Sequence, residues 1–271
     1  MIEFFLQPLS YSFMQRGLLA GMMVGVLCAV LGTYVVLRGM AFLGDALAHA
    51  ILPGVAVAYL MGGNLLLGAL VAAAVVALGI GYFSKNGAIK EDTAIGILFS
   101  AALSLGVAMI SSIRSFAVDL SHILFGNVLG VSPSDLLLTF ALGAIVLLTV
   151  VLLYRPFMVL SFDPVLAATL RLPTVLLQNI MMMLLAVTVV ISLQTVGVGL
   201  AAAMLVTPAA AAYMLTRRLS TMMIISALIG ALSSLIGLFL SYYLNIVSGS
   251  AIVLTATVFF LIIFLVKKGK R

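Results

Sequence analysis

Charge is what this chain has least of. Only 7% of its 271 residues are charged, while 65% are hydrophobic. A soluble domain carries about 25% charged residues, so a soluble globular protein is excluded. Tryptophan is absent and there is one cysteine, Cys28. Cys28 lies inside an apolar run and can form neither an intrachain disulfide nor a thiolate cluster. With two histidines and seven acidic residues, few side chains are left to do chemistry. There is no GxxxxGK[ST] phosphate loop, so any nucleotide must be bound by another chain. No hydrolytic triad or redox-cofactor site can be assembled, and the chain is expected not to be an enzyme. The period-two alternation of a membrane β-barrel is also missing. No cleavable signal peptide is expected, because Arg16 opens directly onto a full-length apolar run. The net charge of +6 is no nucleic-acid signal, since the basic residues sit at the ends of apolar runs.

Those runs are what the sequence does have. Stretches of about 20 apolar residues recur, each long enough to cross a bilayer as a helix. The fold class is therefore an all-α polytopic membrane protein, with about eight to nine transmembrane helices. Nine spans are predicted, at 16–38, 42–62, 64–83, 92–113, 134–154, 174–194, 198–216, 221–244 and 250–266. The 198–216 segment is the weakest of them, being short and rich in Gly and Ala. Gly62-Gly63-Asn64 reads as a tight turn, and Ser132-Pro133-Ser134-Asp135 as a helix start. The whole chain, 1–271, reads as a single transmembrane domain, with a cytoplasmic loop at 155–173.

Charge tests that register. If the C-terminal Lys267, Lys268, Lys270 and Arg271 are cytoplasmic, alternation also puts Arg217, Arg218, Arg155, Arg171, Lys85, Lys90 and Arg38 inside. Only Arg16 and Arg114 then fall outside. Basic residues favour the cytoplasmic side, so the C-terminus is expected there, and an odd number of spans puts the N-terminus on the opposite side. Gly17, Gly21 and Gly25 form small-xxx-small steps on one helix face, and Ala209 to Ala212 form another smooth surface. Both read as close packing within one bundle.

Most of the acidic residues have plain explanations. Glu91 and Asp92 open the fourth span and Asp135 the fifth, where carboxylates complement a helix N-terminus. Glu3 is in the N-terminal tail. Asp119 and His122, in the connection DLSHILFGNVLG, could meet a metal or a partner protein, but read first as solvated loop residues. The methionines at 181–183 and 222–223 form no copper site, because consecutive residues on a helix point in different directions.

Asp45 and His49, in GDALAHAILPG, are harder to explain away. Four residues apart, they share one helix face. Ionisable groups inside a span are costly and usually face a bundle interior or a polar pathway. Pro53 has no N–H, so the carbonyl of His49 is expected to be free. Two readings stand side by side. A carboxylate, an imidazole and a spare carbonyl suit Mn²⁺, Fe²⁺ or Zn²⁺. Equally, Asp45 is a first-turn residue complementing the helix dipole, and His49 a hydrogen-bonded core residue. Two ligands do not complete a metal site, but a second copy of the chain brings four together.

Asp163-Pro164 in SFDPVLAATLRLP is a second signal: an N-cap carboxylate followed by proline at the first helical position. It predicts a short capped helix within the 155–173 loop, lying on the membrane surface or docking a cytoplasmic partner.

At this point the sequence resembles a known family, the membrane permease subunits of bacterial ABC importers for zinc, manganese and iron. The resemblance is carried by LQPLSYSFMQRGLLAG, LRGMAFLGDALAHAILPGVAVAY, DLSHILFGNVLGV, SFDPVLAATLRLP and QTVGVGLAAAMLVTPAAAAY, and covers nearly the whole chain. It implies a type II ABC importer bundle, like the cobalamin permeases. It also implies a homodimer with the pathway on its two-fold axis, two copies of a separate ATP-binding subunit, and an extracytoplasmic metal-binding protein that delivers the ion. On this resemblance Asp45 and His49 match the family's metal-coordinating pair. The segment Asp163, Pro164, Val165, Leu166, Ala167 and Ala168 matches the ATPase-coupling helix. No permanently bound cofactor is implied; the metal is cargo and ATP belongs to the partner.

The resulting expectation is the transmembrane subunit of an ATP-driven divalent-metal importer in the bacterial cytoplasmic membrane. The absence of a His-rich loop inclines the metal to manganese. A histidine ligates only when neutral, so uptake is expected to fall as the imidazole protonates. The alternatives are a permease of the same architecture for a metal chelate or other small solute, and a gradient-driven secondary transporter using the pair as a proton relay.

Overall fold

A computed structural model describes residues 7–84, 89–112 and 128–269. Among the described residues twelve α-helices follow one another: α1 Ser12–Leu37, α2 Leu43–Ala50, α3 Leu52–Leu60, α4 Leu65–Phe83, α5 Glu91–Ser111, α6 Pro133–Leu152, α7 Tyr154–Phe162, α8 Pro164–Thr169, α9 Thr174–Val196, α10 Val198–Leu215, α11 Leu219–Leu244 and α12 Ser248–Lys268. The all-α polytopic class expected from the sequence is what the chain adopts. Glu3, Asp119 and His122 lie outside the described residues, as do Lys85, Arg114, Lys270 and Arg271.

The predicted breaks have the chemistry expected of them. The Asn64 side chain accepts hydrogen bonds from the N–H groups of Leu66 (2.9 Å) and Leu67 (3.3 Å), capping α4. Ser132 and Asp135 close a capping box at α6, satisfying two donors that a helix start leaves open. The chain leaves α1 through Gly39 and passes from α9 to α10 through Gly197, both at positive φ, where glycine carries no steric penalty.

Among the described residues eight helices are long and apolar enough to cross a membrane, with α2 and α3 counted as one broken span. The ninth predicted segment, α10, is shorter. At 1.5 Å rise its 18 residues reach about 27 Å, and its last turn reaches the same end as the helices around it. The contacts at one end establish this. There Leu37 of α1, Phe162 of α7, Met214 of α10, Leu219 of α11 and Lys267 of α12 line one cleft. Arg38 meets Glu91 at the start of α5, and Gln178 in the second turn of α9 reaches the same Glu91 and Ser84 at the end of α4. At the opposite end, Tyr11 before α1 lies 6.4 Å, centroid to centroid, from Tyr242 near the end of α11.

Helix α1 is the axis of the bundle, packed by α6, α9, α10 and α11. Its glycines permit this. A Cβ on Gly25 would come within 2.7 Å of the Gly230 carbonyl oxygen, and one on Gly32 would collide with the Leu205 carbonyl. Two serines of α11 tie the same contact, with Ser234 Oγ donating to the Gly21 carbonyl and Ser226 Oγ to the Ala29 carbonyl, both at 2.8 Å. The small-residue stripe of α1 therefore packs inside one chain, as its sequence predicted.

One expectation needs correction. The 155–173 segment is not a loop carrying one short helix. Its first half is α7, which follows α6 after the single residue Leu153. Phe157 and Leu160 of α7 are buried, and the Phe157 ring meets Tyr34 edge-on with centroids 5.7 Å apart. The apolar spacing FMVLSF was enough to anchor a helix that Pro156, acceptable in a first turn, does not break.

Candidate functional site

Asp45 and His49 stand on α2, in its first and last turns respectively. The residues between them, Ala46, Leu47 and Ala48, are buried. Close seating holds the helix: a Cβ on Gly44 would lie 3.3 Å from Ala202 Cα of α10. The helix presents its polar face outward, so the Asp45 side chain is 47% exposed and His49 30%. The His49 ring lies 5.9 Å from that of Phe99 on α5.

The spacing brings the two polar groups together without joining them. His49 Nε2 is 3.6 Å from Asp45 Oδ1, beyond the 2.7–3.2 Å range of a hydrogen bond. Adjacent ligands of a transition-metal ion, each about 2.1 Å from it, sit about 3 Å apart, so the gap is of the size one cation spans. No third His, Cys, Asp or Glu joins them among the described residues.

Pro53 acts as predicted on the helix but not on the carbonyl. The helix divides at Ile51 into α2 and α3, with Pro53 in the first turn of α3. The Ile51 N–H turns back on the His49 carbonyl. That oxygen therefore accepts one hydrogen bond and is not free, as the missing Pro53 N–H alone would leave it.

The second signal, SFDP, forms the N-terminus of α8. Asp163 Oδ1 accepts from the N–H groups of Val165 and Leu166, both at 2.9 Å, and Pro164 opens the helix. Arg171, in the left-handed region at φ 56°, ends the segment, its N–H bonding the Ala168 carbonyl at 2.9 Å. Ala167 is buried against the body, whereas Val165 (76%), Leu166 (47%) and Leu170 (56%) are exposed and Ala168 with them. Six residues thus form a capped knob with an apolar tip.

One cluster escaped the sequence reading. Arg38, just past α1, pairs with Glu91. Gln178 of α9 donates to the same Glu91 oxygen and to Ser84 Oγ, the latter at 3.2 Å. Burial pulls the Arg38 pKa below its ordinary value while the Glu91 charge opposes that shift. The cluster ties the start of the α2 segment to α5, which carries Phe99, and to α9, which follows α8. Nothing in a linear reading pairs residues 53 positions apart. The one available signal was Gln178, a polar residue in an apolar run.

The model of the ABC 3 transport family matches residues 10–267. The manganese transport system membrane protein MntC of Halalkalibacterium halodurans is 47% identical over 261 residues, 96% of this chain and 89% of that protein. The chelated iron transport system membrane protein YfeD of Yersinia pestis is 39% identical over 256 residues, 94% of this chain and 86% of that one. Among solved structures, PsaBC from Streptococcus pneumoniae in complex with Fab aligns with a TM-score of 0.85 at 41% identity, covering 97% of this chain and 95% of that chain. The resemblance read from GDALAHAILPG and SFDP thus extends over nearly the full length, and the chain belongs to the ABC 3 transport family.

Proposed function

We propose that this protein is the membrane subunit of an ATP-driven importer of a divalent transition metal, manganese first. Two copies form the pathway, with Asp45 and His49 of each as transient ligands. The knob formed by Asp163, Pro164, Val165, Leu166, Ala167 and Ala168 couples each copy to a separate cytoplasmic ATP-binding subunit. An extracytoplasmic binding protein delivers the ion to the other face of the bacterial inner membrane.

One observation carries the reading: an ionisable pair faces out of a chain built for a membrane. A carboxylate and an imidazole, 47% and 30% exposed on a membrane helix, are too costly to leave against hydrocarbon. A polar passage shared with a second copy covers them and completes the ligand set. The 3.6 Å gap supports a cargo site over a structural hydrogen bond. A weak site also suits transport, because the ion must leave again. The names of the relatives support a metal, and the iron-chelate relative keeps a chelated cargo as the second reading.

The test is uptake of radiolabelled Mn²⁺ into vesicles holding the permease with its ATPase and delivery protein. Asp45→Asn and His49→Ala are each expected to lower uptake roughly 10–100-fold, the range seen when a metal site's ligand environment is damaged, while the complex still assembles. Undiminished uptake in both variants sinks the ligand role. Transport of an intact iron chelate in preference to the free ion selects the second reading.

A further inference from the structure

The cleft at the basic end of the bundle is not used by the reading above. It has a volume of about 660 Å³, within the range of small-molecule pockets. Arg217, Lys267 and Lys268 stand on it, and its walls include Phe162, Met222 and Phe264. No acidic side chain lines it among the described residues. The three cations therefore have no carboxylate in the cleft to answer them. Lys267 Nζ reaches the Met214 carbonyl at the end of α10, which uses one of its three donors and holds the ammonium across the cleft.

The arrangement is amphipathic in a particular direction. The cations sit where α10 ends, α11 begins and α12 ends, the level at which helices leave the hydrocarbon. The wall helix α12 continues away from them with Leu261, Phe264 and Leu265 exposed, a face for lipid tails. A soluble anion would use the cations and leave the apolar wall idle. An amphiphile with a phosphate head and acyl chains uses both, and basic pockets between membrane helices on the cytoplasmic side recognise such headgroups.

We propose that this cleft is a binding site for one anionic phospholipid. Its phosphate is held by Arg217, Lys267 and Lys268, and its acyl chains lie along Phe264 and the outer face of α12. The site is independent of the transported solute. Phe162, which immediately precedes the Asp163 cap of α8, places the bound lipid at the base of the knob.

Native mass spectrometry of the full chain in mild detergent tests this, with phosphatidylglycerol, phosphatidylcholine and inorganic phosphate as the three probes. Each basic residue near an anionic lipid strengthens association roughly fivefold, so three give roughly a hundredfold. The wild-type chain is expected to retain one phosphatidylglycerol in strong preference to phosphatidylcholine. Arg217→Gln alone is expected to weaken retention roughly fivefold, and Arg217→Gln, Lys267→Gln and Lys268→Gln together roughly a hundredfold. A control with Lys90→Gln and Arg155→Gln, exposed basic residues outside the cleft, should retain the lipid. Equal losses in control and cleft variants overturn the proposal in favour of a diffuse basic surface. Binding of inorganic phosphate that excludes phosphatidylglycerol makes the cleft a phosphate site and overturns it too. So does a cleft variant that keeps its lipid but no longer binds the ATPase subunit, since the cations would then belong to a protein interface.

Discussion

Glu91 shows how much a single residue's role depends on partners distant in sequence. As the first residue of α5 it has a sufficient local reason to be acidic, since carboxylates favour a helix N-terminus. The structure gives it a larger task. The Arg38 side chain is only 8% exposed, and guanidinium does not shed its proton at accessible pH. Removing Glu91 therefore leaves a buried cation unpaired. Glu91→Ala is expected to cost about 3 kcal/mol, the scale of breaking a buried pair from one side. The double variant Arg38→Met with Glu91→Leu is expected to be much less damaged, because no charge is stranded. Thermal unfolding in detergent of the wild type, Glu91→Ala, the single variants Arg38→Met and Glu91→Leu, and the double variant reads this directly. A double variant as unstable as the two single losses summed would show that the pair is not coupled.

The same contrast separates what was legible at residue scale from what was not. Asp45 and His49 stood out because ionisable residues are rare in apolar runs and their four-residue spacing fixes a shared face. Their separation of 3.6 Å and the capture of the His49 carbonyl by Ile51 depend on where the helix bends, which Pro53 signals but does not specify. The Arg38–Glu91–Gln178 cluster depends on three helices converging, so it carries no local mark.

At the scale of elements, α8 separates two tasks within six residues. Its fold comes from Asp163, Pro164 and the buried Ala167, while its tip, Val165 and Leu166, is exposed. Side chains that touch little in their own chain contribute little to its stability, so surface changes there cost within about 0.5 kcal/mol. Val165→Asp with Leu166→Asp is expected to leave the melting temperature of the permease nearly unchanged and to abolish co-purification of the ATP-binding subunit. An unaltered yield of complex would remove α8 from the interface. Asp163→Ala probes the other half: loss of the cap is expected to cost about 1 kcal/mol and to loosen the knob, weakening the same complex partially. The cap was legible because Asp-Pro is a local signal. The helix α7 before it was not, because its burial rests on Tyr34, more than a hundred residues upstream.

At the scale of the whole molecule, hydropathy gave eight spans plainly and left α10 in doubt, because length and composition do not reveal where a helix is seated. Seating decides it. Helix α10 touches α1 through Leu205 and Gly32 and ends beside Lys267 of α12, so its short apolar stretch is enclosed by longer helices. If α10 is counted as a crossing, the bundle is crossed nine times, as the sequence predicts, and the chain would enter and leave it on opposite faces. The basic residues then sort onto the face where α12 ends, the pattern expected of a cytoplasmic side. Cysteine labelling tests this cleanly, because the one native thiol, Cys28, is buried. Single cysteines introduced by Ser10→Cys before α1, Gly63→Cys between α3 and α4, and Gly269→Cys after α12 all fall at exposed positions. A membrane-impermeant maleimide added to intact cells is expected to label the first two and to reach Gly269→Cys only after permeabilisation. Labelling of Ser10→Cys and Gly269→Cys from the same face would mean an even number of crossings, and α10 would then be a helix that enters the bundle without passing through the membrane.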